Sequence, residues 1–301
     1  MTQFKSSRRH AFGALGAFAA IGATPALAAK TKHLDLGTPQ GNLDGFLKTR
    51  SDISGKTSVT YASGTVVSKM PGRKSRVLMK TNAVNMTRCI KDEKGYVFLQ
   101  RECVIFCDVN TGEPLSNWFN PYIDRTCEVF HIQNESVSSH YDVNGPRGPY
   151  HMDYTELAGD VTFHNDLFYS GPSPLNIEDY AAYTQSNVYE GAGLYNWHTT
   201  RAALDNPDLG SAPTVTSHIG VRQWLPWMEM GAWEGELVLP SRGKKLVTGG
   251  VKDIPKPFLT WMEKNMPVYL EPPPVEQKNE SRSFYGEFKK HIDAKRAAQK
   301  K

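Results

Sequence analysis

The sequence predicts a mainly β protein, an antiparallel meander closing into a barrel-like, calycin-like sheet with helical and loop insertions and a C-terminal helix. Three observations carry this expectation. Alternating, β-branched and aromatic runs separated by short turns fill the first half, and further runs of the same kind recur downstream. No repeat, glycine-serine linker or low-complexity run divides the chain, so one core is expected. Sheets of that size tend to curl shut.

The runs are read in order. Thr57 to Lys69 alternates and stops at Met70-Pro71-Gly72-Arg73. Arg76 to Ile90 follows and ends at the turn from Lys91 to Gly95. Tyr96 to Asp108 and Glu113 to Asn120 flank Val109-Asn110-Thr111-Gly112, and Arg125 to Asn134 lies beyond Pro121-Tyr122-Ile123-Asp124. Asp160 to Tyr169, Val215 to Leu225 and Ala232 to Leu239 read as further strands of the same sheet. Between them, the Tyr/Pro/Gly-rich stretch from about Tyr141 to Leu175 reads as a long excursion within the domain.

The turns suggest a register. Pairing Arg101 with Asn120, Cys103 with Trp118 and Trp118 with Cys127 places Arg88, Arg101, Trp118, Asn120 and His131 on one face with Met86, Ile105 and Val129. Two arginines, a histidine and a tryptophan among apolar residues resemble a cavity lining, and this face is expected inside. The competing face holds Asn85, Glu102, Val104, Phe106, Phe119 and Phe130, and a one-residue slip exchanges the two. In the same register Cys103 and Cys107 lie about 13 Å apart along one strand, and Cys103 and Cys127 about 10 Å apart across two strand steps. Neither pair can bridge, so four free thiols are expected.

At the N-terminus, Ser7, Arg8 and Arg9 precede an apolar run from Ala11 to Ile21 and then Ala26-Leu27-Ala28. This reads as a cleaved export signal over residues 1–28, of the twin-arginine kind, with the general export route left open and a periplasmic or secreted destination. The apolar run is too short to span a bilayer, so no membrane insertion is expected after cleavage. Removing it leaves 32 bases against 31 acids. The segment 289–301 alone carries six bases and one acid and reads as a basic, flexible tail, so the domain of 29–288 is slightly acidic. Nucleic-acid binding has no electrostatic support; a homo-oligomer is left open.

Chemistry concentrates in Trp224 to Gly231, WLPWMEMG, where Glu229 sits among large apolar and polarisable side chains. His131, His140, His151 and His164, with Asp153, have ligand chemistry but no recognisable metal spacing. Gly191-Ala192-Gly193 lacks the third glycine, preceding strand and acidic partner of a dinucleotide site, and no serine sits in a nucleophile elbow. Tyrosines crowd the segment from Tyr141 to Trp197, Tyr169 among them, which suits a cavity for a flat, partly polar ligand.

The chain also resembles the DUF1838 family of exported bacterial proteins. The resemblance rests on WLPWMEMG together with SGTVVSKMPGRKSR (Ser63–Arg76), VNMTR (Val84–Arg88), LQRE (Leu99–Glu102), TGEPLSNWFNPY (Thr111–Tyr122), DLFYSGPSPL (Asp166–Leu175) and YLEPPP (Tyr269–Pro274). It implies a mostly β, barrel-like exported protein and supplies no catalytic assignment.

Two functions follow as expectations. In the first, the protein is an acid/base enzyme without organic cofactor or metal, a lyase or isomerase acting on a small phenolic compound such as a phenylpropanoid. Glu229 or Glu102 is the base, Arg88, Arg101 or a tyrosine steadies the developing anion, and Trp118, His131, Asn85, Asn120, Trp224, Trp227 and Tyr169 hold the substrate. In the second, the same barrel carries a small hydrophobic or aromatic molecule unchanged, with Glu229 paired to Arg222 or Arg242 as a strut. The discriminating feature is whether Glu229 faces the cavity without a basic partner.

Overall fold

The computed structural model describes residues 33–145, 148–246, 250–274 and 282–300, without the side chains of 136–138. The predicted export signal at 1–28 lies outside these residues. Helix α1 (Pro39–Arg50) opens the described chain, and strands β1 (Ser58–Lys69), β2 (Arg76–Lys91) and β3 (Gly95–Cys107) follow. Two short strands, β4 (Asn117–Asn120) and β5 (Arg125–Glu128), form a separate ribbon. Then come β6 (Ile132–Asp142), β7 (Tyr154–Leu157), β8 (Asp160–Pro172), the short helix α2 (Ile177–Tyr180), β9 (Val188–Thr200), α3 (Arg201–Asp205), β10 (Val215–Arg222) and β11 (Glu236–Lys245). Helices α4 (Lys256–Asn265) and α5 (Phe284–Gln299) complete the chain.

Nine strands make one antiparallel sheet in the order β6-β3-β2-β1-β11-β10-β9-β8-β7. The fold is thus mainly β and antiparallel with a C-terminal helix, as the alternation predicts. The meander runs through β1, β2 and β3 and continues into β6, because β4 and β5 pair with each other instead of joining it. Of the predicted register, Trp118 opposite Cys127 is found, whereas Arg101 lies opposite Met86 and Glu135, and Cys103 opposite Val84 and Gln133. The stretch read as an excursion holds β7 and all of β8, of which Asp160 to Tyr169 is predicted as strand, and β9 is not among the predicted strands. The segment 289–301 is mostly the last turns of α5, where Arg296 caps the Asp179 carbonyl and lies over the Tyr180 ring.

Three apolar clusters position the site. On one face of β1–β3, Val59, Val84, Met86, Cys103 and Ile105 pack under Phe258 and Met262 of α4 and under Tyr269. On the other face, one end is filled by α1, whose Phe46 and Leu47 meet Phe98, Phe163 and Trp197. Thr38 caps α1, accepting from the Gly41 amide, and Pro39 occupies its first turn. The opposite end is filled by the WLPWMEMG segment, whose Trp227 packs 5.3 Å from Phe106 and edge-on to Trp118. Each fully buried large side chain in these clusters contributes roughly 1.5–3 kcal/mol of transfer free energy. Among the described residues no helix is long and apolar enough to cross a membrane.

The four cysteines are free and buried, as expected, although the register behind that expectation differs. Burial pushes the Cys103 thiol up to about 12 and those of Cys89 and Cys127 to about 11, so none is a poised nucleophile.

Candidate functional site

Between the α1 cluster and the WLPWMEMG cluster lies a cavity of about 410 Å³, in the range of small-molecule sites. Strand alternation decides what reaches it. Thr81, Ala83, Asn85 and Thr87 of β2 and Gln100, Glu102 and Val104 of β3 face inward. Residues of β6 and β8, near opposite ends of the strand order, line the same space, so the sheet bends around it.

The Asn85/Glu102 face therefore forms the cavity wall, not the arginine face expected inside. The reason is α4: Met86, Arg101, Cys103 and Ile105 lie beneath it and the segment that follows. Arg101 is 8% exposed, donates to the carbonyls of Val268 and Glu271, and pairs with buried Glu135 at 3.1 Å.

One wall is aromatic. Trp197 and Tyr195 of β9 stack at 5.3 Å with planes 5° apart, and Tyr195 stacks on His218 of β10 at 4.2 Å. Glycine permits this layering: a Cβ on Gly193 would lie 2.8 Å from the Tyr195 ring, and one on Gly191 2.5 Å from the Tyr169 hydroxyl. The Gly-Ala-Gly stretch is thus a bed for aromatic rings. Burial, and then the nearby charge of Arg222, lower His218 to about 4, so it is neutral at physiological pH. Burial, and then Glu102, raise Tyr195 to about 12, so it is a protonated donor.

Two arginines enter the cavity and differ in what they hold. Arg50, at the end of α1, donates to the Tyr141 hydroxyl at 2.8 Å and to Gln100 Oε1 at 3.0 Å, and its guanidinium lies 4.5 Å from the Phe98 ring centre. Two of its five donors are thereby engaged. Arg222 makes no hydrogen bond or ion pair to any described residue, and its Nε is buried without a partner. Glu102 accepts from Asn134 Nδ2 at 3.1 Å and forms no ion pair with a described residue. Its charge acts on Arg222, yet the two are too far apart to pair. Asn85 lies opposite Glu102 in the register, and its Oδ1 is buried without a partner among the described residues. An unsatisfied buried polar group costs about 1–3 kcal/mol, so such atoms on a cavity wall invite a ligand or water to complete them.

The remaining candidates lie elsewhere. Glu229 sits at the end of a 3₁₀ turn with a left-handed backbone (φ 55°) and pairs with Arg125 at 2.9 Å, not with Arg222 or Arg242. It borders a separate depression of about 210 Å³ with Lys295 and His291. Asn120 is fully buried, donating to the Met228 carbonyl and accepting from the Tyr122 amide, so it pins the octapeptide to the β4–β5 ribbon. Trp118, Trp224 and Trp227 belong to that cluster, and Trp224 Nε1 donates to the Trp233 carbonyl. His131 accepts from the Phe106 amide, and burial lowers it to about 4. Arg88 lies on the α4 side and reaches Thr57. Tyr169 lines an outer groove that shares Arg222 with the cavity. His140 pairs with Asp92, His151 with Asp153, and His164 bonds Thr155 and Asn196. Among the described residues no three His, Cys, Asp or Glu side chains group closely enough to hold a metal ion.

Of the predicted site residues, Asn85 and Glu102 thus line the cavity and Tyr169 its neighbouring groove. Arg50, Arg222, His218 and Asn134 were missed as site residues. The signal for two of them was the alternation Thr216, His218, Gly220, Arg222, which sets polar groups on one face of β10.

No curated protein matches the chain. A family model described as a protein of unknown function (DUF1838) matches residues 55–292, from the edge of β1 into α5. The chain belongs to the DUF1838 family.

Proposed function

We propose that this protein is a cofactor-independent acid/base enzyme, a lyase or isomerase, acting on a small aromatic or phenolic compound. The bent sheet acts as an incompletely closed barrel, and the protein works after export, in the periplasm or outside the cell. One observation carries the reading: Glu102 faces the cavity with one oxygen held by Asn134, no basic ion-pair partner among the described residues and Arg222 opposite. Glu229 has a basic partner and lies in another depression, so the base role passes to Glu102.

In this reading the substrate ring lies against Tyr195 and Trp197. Glu102 removes a proton from the substrate, and Arg222 stabilises the negative charge that develops, in a site walled by low-dielectric aromatic groups. Asn134 orients the carboxylate as it changes charge. The reading is tested by NMR in D₂O, following deuterium incorporation into phenolic candidates in the presence of the mature protein. Exchange should be lost in Glu102→Gln and kept in Glu229→Gln. Binding without exchange in the wild type would leave a carrier of hydrophobic small molecules instead.

A further inference from the structure

We propose that the cavity selects an aromatic acid, with its carboxylate on Arg222 at the cavity mouth and a ring hydroxyl donated to Asn85 Oδ1 beside Glu102. The inference rests on taking this cavity as the substrate site and adds the class of ligand it takes. Each end is marked by an independent observation.

At one end, Arg222 lines the cavity with no hydrogen bond or ion pair to any described residue. A guanidinium offers five donors in a planar fork matched to a carboxylate, and leaving them unused in a desolvated site is costly. Arg50 shows the alternative within the same space, with donors on both terminal nitrogens engaged by Tyr141 and Gln100. Arg222 also borders the outer groove of Phe168, Tyr169 and Gly191, so it sits where cavity and groove meet. An anion arriving from solvent would reach this fork first and remain nearest to water. At the other end, Asn85 Oδ1 can only accept, so it asks for a ligand hydroxyl or amine. An amine is the weaker match, because the cavity already holds the positive charges of Arg50 and Arg222 against one carboxylate, Glu102. Arg222, Asn85 and Glu102 line the same cavity, and the charge of Glu102 acts on Arg222, so the two ends face one shared space. The stacked Trp197, Tyr195 and His218 rings supply the flat surface between them.

The test is isothermal titration calorimetry at neutral pH on the mature protein with benzoate, 4-hydroxybenzoate, methyl 4-hydroxybenzoate and phenol. The acid should bind about tenfold or more tightly than its methyl ester, as a charge-assisted bidentate contact would give. Arg222→Gln should remove that preference and leave ester affinity unchanged. Arg222→Lys, which keeps the charge without the fork, should retain part of it, and circular dichroism confirms that both variants fold. Benzoate should bind more weakly than 4-hydroxybenzoate, with the difference lost in Asn85→Leu. An ester that binds as well as the acid, an acid preference that survives Arg222→Gln, or no binding by any of the four would overturn the inference. Acid preference without deuterium exchange would reject the enzyme and keep the anion site, whereas exchange on the ester alone would do the reverse.

Discussion

Replacing Arg101 with Met should cost stability, not chemistry. The guanidinium is 8% exposed, pairs with Glu135 at 3.1 Å and holds the backbone carbonyls after α4. Removing it leaves a carboxylate that is 3% exposed facing an apolar side chain. Breaking a buried pair from one side costs about 3–5 kcal/mol. Arg282, 3.9 Å from the other Glu135 oxygen, offsets part of this, so the lower half of the range applies. For a domain of this size each kcal/mol shifts Tm by roughly 2–4 °C. Circular dichroism melting should therefore show a drop on the order of 10 °C, and adding Glu135→Gln should recover part of it because the buried carboxylate charge is then removed. An unchanged Tm with selective loss of deuterium exchange would refute the placement and return Arg101 to the chemistry.

Further outcomes follow from the same geometry. Glu102→Gln should lower turnover by about 10²-fold or more while binding persists, the loss expected of a missing general base; parallel loss of binding and folding would mark Glu102 as a strut. Glu229→Gly should change urea-unfolding stability by no more than about 1 kcal/mol, because relief of the left-handed backbone offsets an ion pair whose Arg125 side is mostly exposed. His131 and His218 have folded pKa values near 4, below the unfolded value of about 6.5, so the unfolded state binds more protons between those limits. Stability should accordingly fall as pH drops from about 6.5 towards 4, and a pH series of urea melts on His131→Asn should show a shallower fall. A thiol reagent should find no reactive cysteine in the native protein and four after denaturation.

The sheet was legible because its longest strands alternate cleanly between turn signals; β1, β2 and β3 fall within a residue or two of their predicted bounds. What escaped had physical reasons. β9 is rich in glycine and tyrosine, with Gly191 and Gly193 under aromatic rings, so its period of two is carried by shape more than hydropathy. The choice of face failed because Arg101 satisfies its charge on Glu135 and on backbone carbonyls some 170 residues away, which no local pattern records. The octapeptide drew attention for its composition, and its tryptophans do dominate a cluster, yet as a plug for one end of the bent sheet. Asn85 and Glu102 fall within the VNMTR and LQRE motifs that carry the family resemblance, whereas strand parity alone sets them on the face not expected inside. Arg222 enters the sequence reading only as a partner for Glu229; the alternation of β10 sets it on a polar face, but no local pattern records that it lacks a partner among the described residues.

The central claim is that ligand binds on the Asn85/Glu102 face. A crystal structure of the mature protein soaked with 4-hydroxybenzoate tests it most directly. Density is expected against Tyr195, with the carboxylate on Arg222 and the hydroxyl beside Asn85. Density beside Glu229, or on the side of Arg88 and Arg101 beneath α4, would contradict it.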